Sequence, residues 1–287
     1  MCSELKVLDF ILFADDTNLF FLHKNVEIIK QTLNQELPKL SDWCDANKLS
    51  INLKKSNFMI FKPTQKRKKR EINIDINNCN IERVKETMFL GTILDEILSW
   101  KPHISNMSCK IAKSVGILYK ASFCLPTSSL CTLYYSLIDP YLVYCVSIWG
   151  STYSSNLNST ILKLQKKFIR IVSKSAYDAH TELFFKQLKI LKFYDIFRFQ
   201  AWKVMFLFKK GRLPTIFNDL FLPRGHIHSY NTRNANSFYI FPCRTNIRRF
   251  ANRFQVPKVF NSLNSEIRHS TNISLFKSKL RLFLLNW

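Results

Sequence analysis

The run Phe13-Ala14-Asp15-Asp16-Thr17 lies between two apolar stretches, Val7–Phe13 and Leu19–Leu22. Short segments rich in Phe, Ile and Val read as strands, and polar residues between them leave room for little but a tight hairpin. That turn sets two adjacent carboxylates at a sharp bend, where hard oxygen ligands suit Mg²⁺. The same dipeptide also suits an ordinary solvated turn, because Asp side chains hydrogen-bond their own backbone there.

The following residues supply the rest of an α+β pattern. Val26, Ile29, Leu33, Leu37, Leu40 and Trp43 recur at helical spacing over residues 25–46, with Pro38 as an expected kink. Strands are expected at about 57–61, 71–76 and 86–94. Between the first two, Lys62-Pro63-Thr64-Gln65-Lys66-Arg67-Lys68-Lys69-Arg70 carries six positive charges in nine residues. Such a run repels itself and should stay extended unless phosphates neutralise it; a solvated loop and a nuclear-localisation signal are the competing readings.

The pattern changes near residue 100 and becomes helical. Helices are expected at 103–122, 130–138, 141–149, 156–173, 181–188 and 193–210. In the fourth, Ile161, Leu164, Phe168 and Ile171 share one face, and Lys163, Lys166, Lys167 and Arg170 the other. A basic face of this kind suits a duplex backbone and is also a common solvated surface. The run Thr132–Trp149 is apolar enough to raise a membrane question, but Asp139-Pro140 interrupts its middle, so two short buried helices are expected and no membrane partner. Beyond Gly211, Arg233, Arg244, Arg248, Arg249 and Arg253 alternate with Tyr239, Phe241, Phe250 and Phe254, a composition able to stack on and clamp nucleic acid. No internal repeat is present.

Charge narrows the partners. Lys and Arg number 43 against 20 Asp and Glu, a net charge of +23, and the isoelectric point is near 9.8. That is the electrostatic footprint of a nucleic-acid binder. AT-rich coding, which inflates Lys, Asn, Ile and Phe, contributes to the same count. Eight cysteines show no C-x-x-C pair and no secretory signal precedes them, so neither a disulfide framework nor a zinc ribbon is expected. His226, His228 and Cys243 match no familiar ligand spacing. The chain is expected in the nucleus or cytoplasm and not to be secreted.

Ordered motifs carry the reading further. After the Asp-Asp turn come Leu40-Ser41-Asp42-Trp43-Cys44, then Asn47-Lys48-Leu49-Ser50-Ile51-Asn52-Leu53-Lys54-Lys55-Ser56, then Phe89-Leu90-Gly91-Thr92-Ile93-Leu94-Asp95 and Leu98-Ser99-Trp100-Lys101-Pro102-His103-Ile104. Leu164-Gln165-Lys166-Lys167-Phe168-Ile169-Arg170, His228-Ser229-Tyr230-Asn231-Thr232-Arg233 and Phe276-Lys277-Ser278-Lys279-Leu280 complete the set. The series resembles the reverse transcriptases of non-LTR retrotransposons, especially the jockey-like lineages.

That resemblance implies a partial right-hand polymerase palm over residues 1–99, made of the metal hairpin, a helix and short antiparallel strands. A helical thumb or connection over 100–210 and a basic aromatic C-terminal region over 211–287 would follow. It implies that Asp15 and Asp16 are catalytic and hold Mg²⁺, and that Lys55 lies near the incoming nucleotide's phosphates, in an Asn-x-x-Lys-Thr segment whose Thr is Ser56 here. By the residues alone, Lys55 reads equally as a solvated surface lysine. It implies a primer grip at Phe89-Leu90-Gly91, where glycine would admit the primer strand, although a buried strand with a bulge glycine is the other reading. An RNA template, a DNA primer and deoxynucleoside triphosphates would be the intact enzyme's partners, with Lys66, Arg67, Lys68, Lys69 and Arg70 on the nucleic-acid backbone. Two-metal chemistry needs a further carboxylate. Only twelve residues precede Phe13, and Asp9 stands roughly 20 Å from Asp15 along an extended strand. The expectation is therefore a polymerase portion that is inactive alone, with a non-enzymatic nucleic-acid-binding protein as the alternative.

Overall fold

A computed structural model of the protein describes residues 7–62, 72–77, 79–151, 155–226 and 237–286. The chain divides into two units, one of residues up to Phe89 with Leu94–Ile97, the other of Leu90–Ile93 with Leu98 onward.

The first unit is α+β. Strands β1 (Asp9–Phe13) and β2 (Asp16–Phe20) form an antiparallel hairpin. Helix α1 (Val26–Ala46) follows. It starts where the Asn25 side chain accepts the Glu27 N–H at 3.0 Å, and Glu27 sits favourably at the positive end of the helix dipole. It ends where the Asn47 amide donates to the Trp43 carbonyl and Lys48 turns left-handed at φ 58°. Short strands β3 (Asn57–Phe58) and β6 (Glu82–Arg83) pair in parallel, and β4 (Asp75–Ile76) and β5 (Cys79–Asn80) antiparallel. Leu37 and Leu40 on α1 meet Leu8, Ile72, Ile74, Ile76 and Ile81 in a small core. Each such side chain contributes about 1.5–3 kcal/mol by leaving water. Strand β7 (Glu86–Phe89) leads to the point of division and pairs with β8 (Thr92–Asp95).

The second unit is helical: α2 (Lys101–Ala121), α3 (Thr127–Leu137), α4 (Asp139–Val143), α5 (Val146–Trp149), α6 (Ser155–Val172), α7 (Glu182–Gln187), α8 (Phe193–Lys209), α9 (Asn246–Phe250), α10 (Asn252–Asn261), α11 (Ser265–Arg268) and α12 (Ile273–Asn286). Ile104, Met107, Ile111, Val115 and Leu118 recur every three or four residues along α2, the spacing that buries one helical face, and α2 packs on α6. Helix α8 is central, burying Phe193, Ile196, Ala201, Trp202, Met205 and Phe206 and touching α4, α5, α6, α10 and α12. Aromatic stacks tie these together: Trp149 on Phe193 with centroids 5.4 Å apart, and Phe206 on Phe276 at 4.3 Å. Gly150 lets α5 approach α8, since a Cβ there would lie 2.5 Å from the Val146 carbonyl oxygen and 3.0 Å from the Phe197 ring.

Several elements differ from expectation. The strand expected at 86–94 is divided by a turn at Leu90 and Gly91 into β7 and β8, and the β3–β6 pair is parallel where antiparallel strands were expected. The helix expected over 141–149 is broken at Cys145, which adopts φ 50°. The Trp149 indole N–H takes the Tyr144 carbonyl at 2.8 Å, while Ile148 N–H turns to Cys145. Residues 246–286, read from sequence as a basic aromatic region without assigned helices, form α9 to α12 and bury Val256, Phe260, Phe276, Leu280 and Leu284. No helix among the described residues is long and apolar enough to cross a membrane.

Candidate functional site

The β1–β2 hairpin closes on the pair Phe13 and Asp16, leaving Ala14 and Asp15 as a two-residue loop. Ala14 sits at φ 49°, a left-handed conformation that costs a residue with a Cβ about 1–2 kcal/mol. This strain turns the chain tightly enough to set Asp15 on the loop and Asp16 on the first residue of the returning strand. Both carboxylates are exposed. Asp9 pairs with Phe20 at the opposite end of the ladder, away from the turn. Among the described residues, no group of three or more His, Cys, Asp or Glu side chains is close enough together to hold a metal ion. Asp15 and Asp16 fit Mg²⁺ as a partial ligand set, since that ion is commonly held by one or two carboxylates with water and substrate phosphates completing the shell.

The hairpin itself is thinly supported. Leu8, Leu19 and Phe21 reach the small core, and Phe20 meets Phe89 edge-on at 6.2 Å. Ile11, Leu12 and Phe13 remain 46%, 54% and 61% exposed. A two-stranded ribbon with apolar residues in water is marginal by itself.

Lys55 lies on a tight turn built by its neighbours. The Asn52 carbonyl accepts the Lys55 and Ser56 N–H groups, each at 3.0 Å, and the Ser56 hydroxyl donates to the same oxygen. Asn52 and Ser56 thereby serve the turn, while the Lys55 side chain is exposed and makes no ion pair with Asp15 or Asp16. Lys66, Arg67, Lys68, Lys69 and Arg70 lie outside the described residues. Lys62, at the start of that basic run, pairs with Glu96 at 3.0 Å, an oxygen that Arg83 approaches to 3.5 Å.

Phe89 ends β7, and Leu90 and Gly91 form the turn into β8. Leu90 and Gly91 both have positive φ, 45° and 79°, as the preferred two-residue hairpin turn demands. Within the second unit the Tyr144 hydroxyl donates to the Leu90 carbonyl at 2.6 Å, and its ring lies 3.4 Å from where a Cβ on Gly91 would project. The close approach that glycine permits here is therefore made by Tyr144.

Sequence reasoning did not find the group around this turn. His103 is buried, and its Nδ1 accepts the Ile93 N–H at 3.3 Å. Burial, and then the charge of Lys110, holds its imidazole below the ordinary value, in the neutral form. Spacing offered one signal: His103, Asn106, Met107 and Lys110 are three, four and seven residues apart, on one face of α2. On α6, Lys163 and Lys167 are exposed, whereas Arg170 donates to the Ala179 carbonyl at 3.1 Å and lies over Tyr177. In the C-terminal region Arg253 lies 4.0 Å from the Phe241 ring centroid.

A stretch of 197 residues, 67% of the chain, is 25% identical to the RNA-directed DNA polymerase from mobile element jockey of Drosophila melanogaster. The protein of the same name from Drosophila funebris is 26% identical over a stretch of the same length. The chain spans about a fifth of the length of these curated relatives, 21% in each case. No family model and no solved structure matches it. The chain is thus related in sequence to jockey-like reverse transcriptases.

Proposed function

We propose that the chain is a portion of the RNA-directed DNA polymerase of a jockey-like non-LTR retrotransposon. The first unit would be part of the palm, and the helices after Trp100 the thumb and C-terminal region. The observation that carries this reading is the strained two-residue hairpin that holds Asp15 and Asp16 side by side in solvent. In the intact enzyme these two carboxylates would hold Mg²⁺, which supplies charge stabilisation to the attacking and leaving oxygens of phosphoryl transfer. Lys55 would approach the phosphates of the incoming nucleotide, and the Leu90–Gly91 turn the primer. RNA template, DNA primer and deoxynucleoside triphosphate are the substrates of this reading.

The described residues bring no third carboxylate to Asp15 and Asp16. The chain alone is therefore expected to give no primer extension on an RNA template, and robust extension by the purified chain would overturn its assignment as a partial enzyme. When an upstream fingers and palm segment is supplied in the same polypeptide, extension should appear and Asp15→Asn should abolish it with template affinity nearly unchanged. Retained extension in that variant removes Asp15 from the catalytic role.

A second reading is a non-enzymatic nucleic-acid-binding protein derived from such an element, and the net charge of +23 supports it as much as it supports the first. Both readings give binding, and only the first gives metal-dependent incorporation once the upstream segment is present. If the basic run contacts phosphates, replacing Lys68, Lys69 and Arg70 by Gln should lower the magnitude of the log-affinity against log-salt slope by about 1 per lost contact.

A further inference from the structure

In the second unit a cavity of about 340 Å³ opens beside the Leu90–Gly91 turn, lined by Gly91, His103, Asn106, Lys110, Tyr141 and Tyr144 among others. Its size lies within the range of small-molecule sites. We infer that this cavity binds one nucleotide of a nucleic-acid strand, a phosphodiester on the α2 side and a base on the tyrosines. The inference rests on the polymerase-derived reading above and gives that reading a site on the helical unit.

The donor set is one-sided. His103 is 7% exposed and spends Nδ1 on the Ile93 N–H, so the neutral ring carries its proton on Nε2. That Nε2 is buried and has no hydrogen-bond partner among the described residues. A buried donor left unpaired is costly, and a ligand acceptor would remove the cost. Asn106 adds an amide, and Lys110 adds an ammonium that forms no ion pair among the described residues. None of the residues lining the cavity carries a carboxylate. An anion satisfies such a wall and a cation does not.

The opposite wall selects for rings. Tyr141 and Tyr144 are 38% and 51% exposed, which leaves ring surface open to the cavity, and Lys110 Nζ lies 5.8 Å from the Tyr141 centroid. Tyr144 is fixed by its bond to Leu90, which holds its ring in place before any ligand arrives. A phosphate and a flat ring within one cavity are the two halves of a nucleotide, and base stacking on tyrosine is tolerant of sequence.

The test uses the full chain and fluorescein-labelled oligo(dT), read by anisotropy, with the ring nitrogens of His103 followed by NMR after ¹⁵N-histidine labelling. Tyr141→Ala should weaken binding about tenfold, the scale of one lost stacking contact. Lys110→Gln should lower the magnitude of the log-affinity against log-salt slope by about 1. Lys113→Gln removes the same charge from an exposed position on the same helix and should change the slope less. The His103 Nε2 signal should move on oligonucleotide addition. Lys110→Gln and Lys113→Gln with equal effect, or an unmoved His103 signal, overturns the cavity as the site while leaving nucleic-acid binding intact. Inorganic phosphate reproducing the full His103 shift, with Tyr141→Ala silent, overturns the nucleotide in favour of a simple anion site. No binding by the parent chain overturns this inference together with the reading it rests on.

Discussion

The Tyr144 hydroxyl and the Leu90 carbonyl, 54 residues apart in sequence, are joined by a 2.6 Å hydrogen bond. The bond fastens a hairpin turn with two consecutive left-handed residues to the break between α4 and α5. That break is in turn held by the Trp149 indole on the Tyr144 carbonyl. Tyr144 therefore uses its side chain on one segment and its backbone on another.

Tyr144→Phe should cost about 1 kcal/mol of unfolding free energy, the net worth of one hydrogen bond. Gly91→Ala should cost about 1–2 kcal/mol, because its φ of 79° strains any residue with a Cβ and that Cβ reaches the Tyr144 ring. The two changes act on one contact, so the double variant should lose less than the sum in urea unfolding. Strict additivity would show that the turn and the tyrosine are independent.

Gln165 is 1% exposed and serves three partners. Its amide nitrogen donates to the Tyr134 hydroxyl at 2.9 Å and the Leu191 carbonyl at 3.2 Å, and its oxygen accepts the Phe193 N–H at 2.8 Å. This ties α3, α6 and the start of α8 at one point. Gln165→Leu keeps similar volume yet takes this partner from two buried groups, the Tyr134 hydroxyl and the Phe193 N–H, and from the partly buried Leu191 carbonyl, for a loss of about 2–4 kcal/mol. A change below about 0.5 kcal/mol in chemical denaturation would show that the network carries no net stability.

The neutral His103 gives a pH dependence with a defined sign. Burial, and secondarily Lys110, lowers its folded pKa from the ordinary 6.5. The unfolded chain thus binds the proton more readily. The stability from the neutral ring is fully present above the unfolded value near 6.5, and it is lost as pH falls towards the folded value. The melting temperature should fall between roughly pH 7.5 and 5.5, and His103→Gln should flatten part of that fall. Asp139 and Asp195, whose carboxyls burial raises, act with opposite sign, so the difference between parent and variant isolates the imidazole. Superimposable parent and variant profiles would remove His103 as the cause.

What could be read from sequence follows the range of the interactions. Asp15 and Asp16 between apolar runs specify a hairpin through neighbours alone, and the spacing of Ile104, Met107, Ile111 and Val115 specifies a helix in the same local way. The break at Cys145 was not legible, because it depends on an indole reaching back to a carbonyl once α5 has docked. Nor were α9 to α12, since Pro257 and scattered Arg and Asn residues blur the periodicity that Phe260 and Phe276 satisfy only against α8. The cavity beside Gly91 draws its walls from residues near 91, 103–110 and 140–144, three segments that only the fold assembles.

Helix α12 is the last element among the described residues, and its Phe276, Leu280 and Leu284 are fully or nearly fully buried, with Phe276 stacked on Phe206 of the central helix. A premature stop codon late in the reading frame is usually the mildest kind of genetic lesion. Here a stop before residue 273 would uncover the middle of α8 and leave an apolar trench along the helical unit. Any product that still folds as this unit does must therefore retain α12.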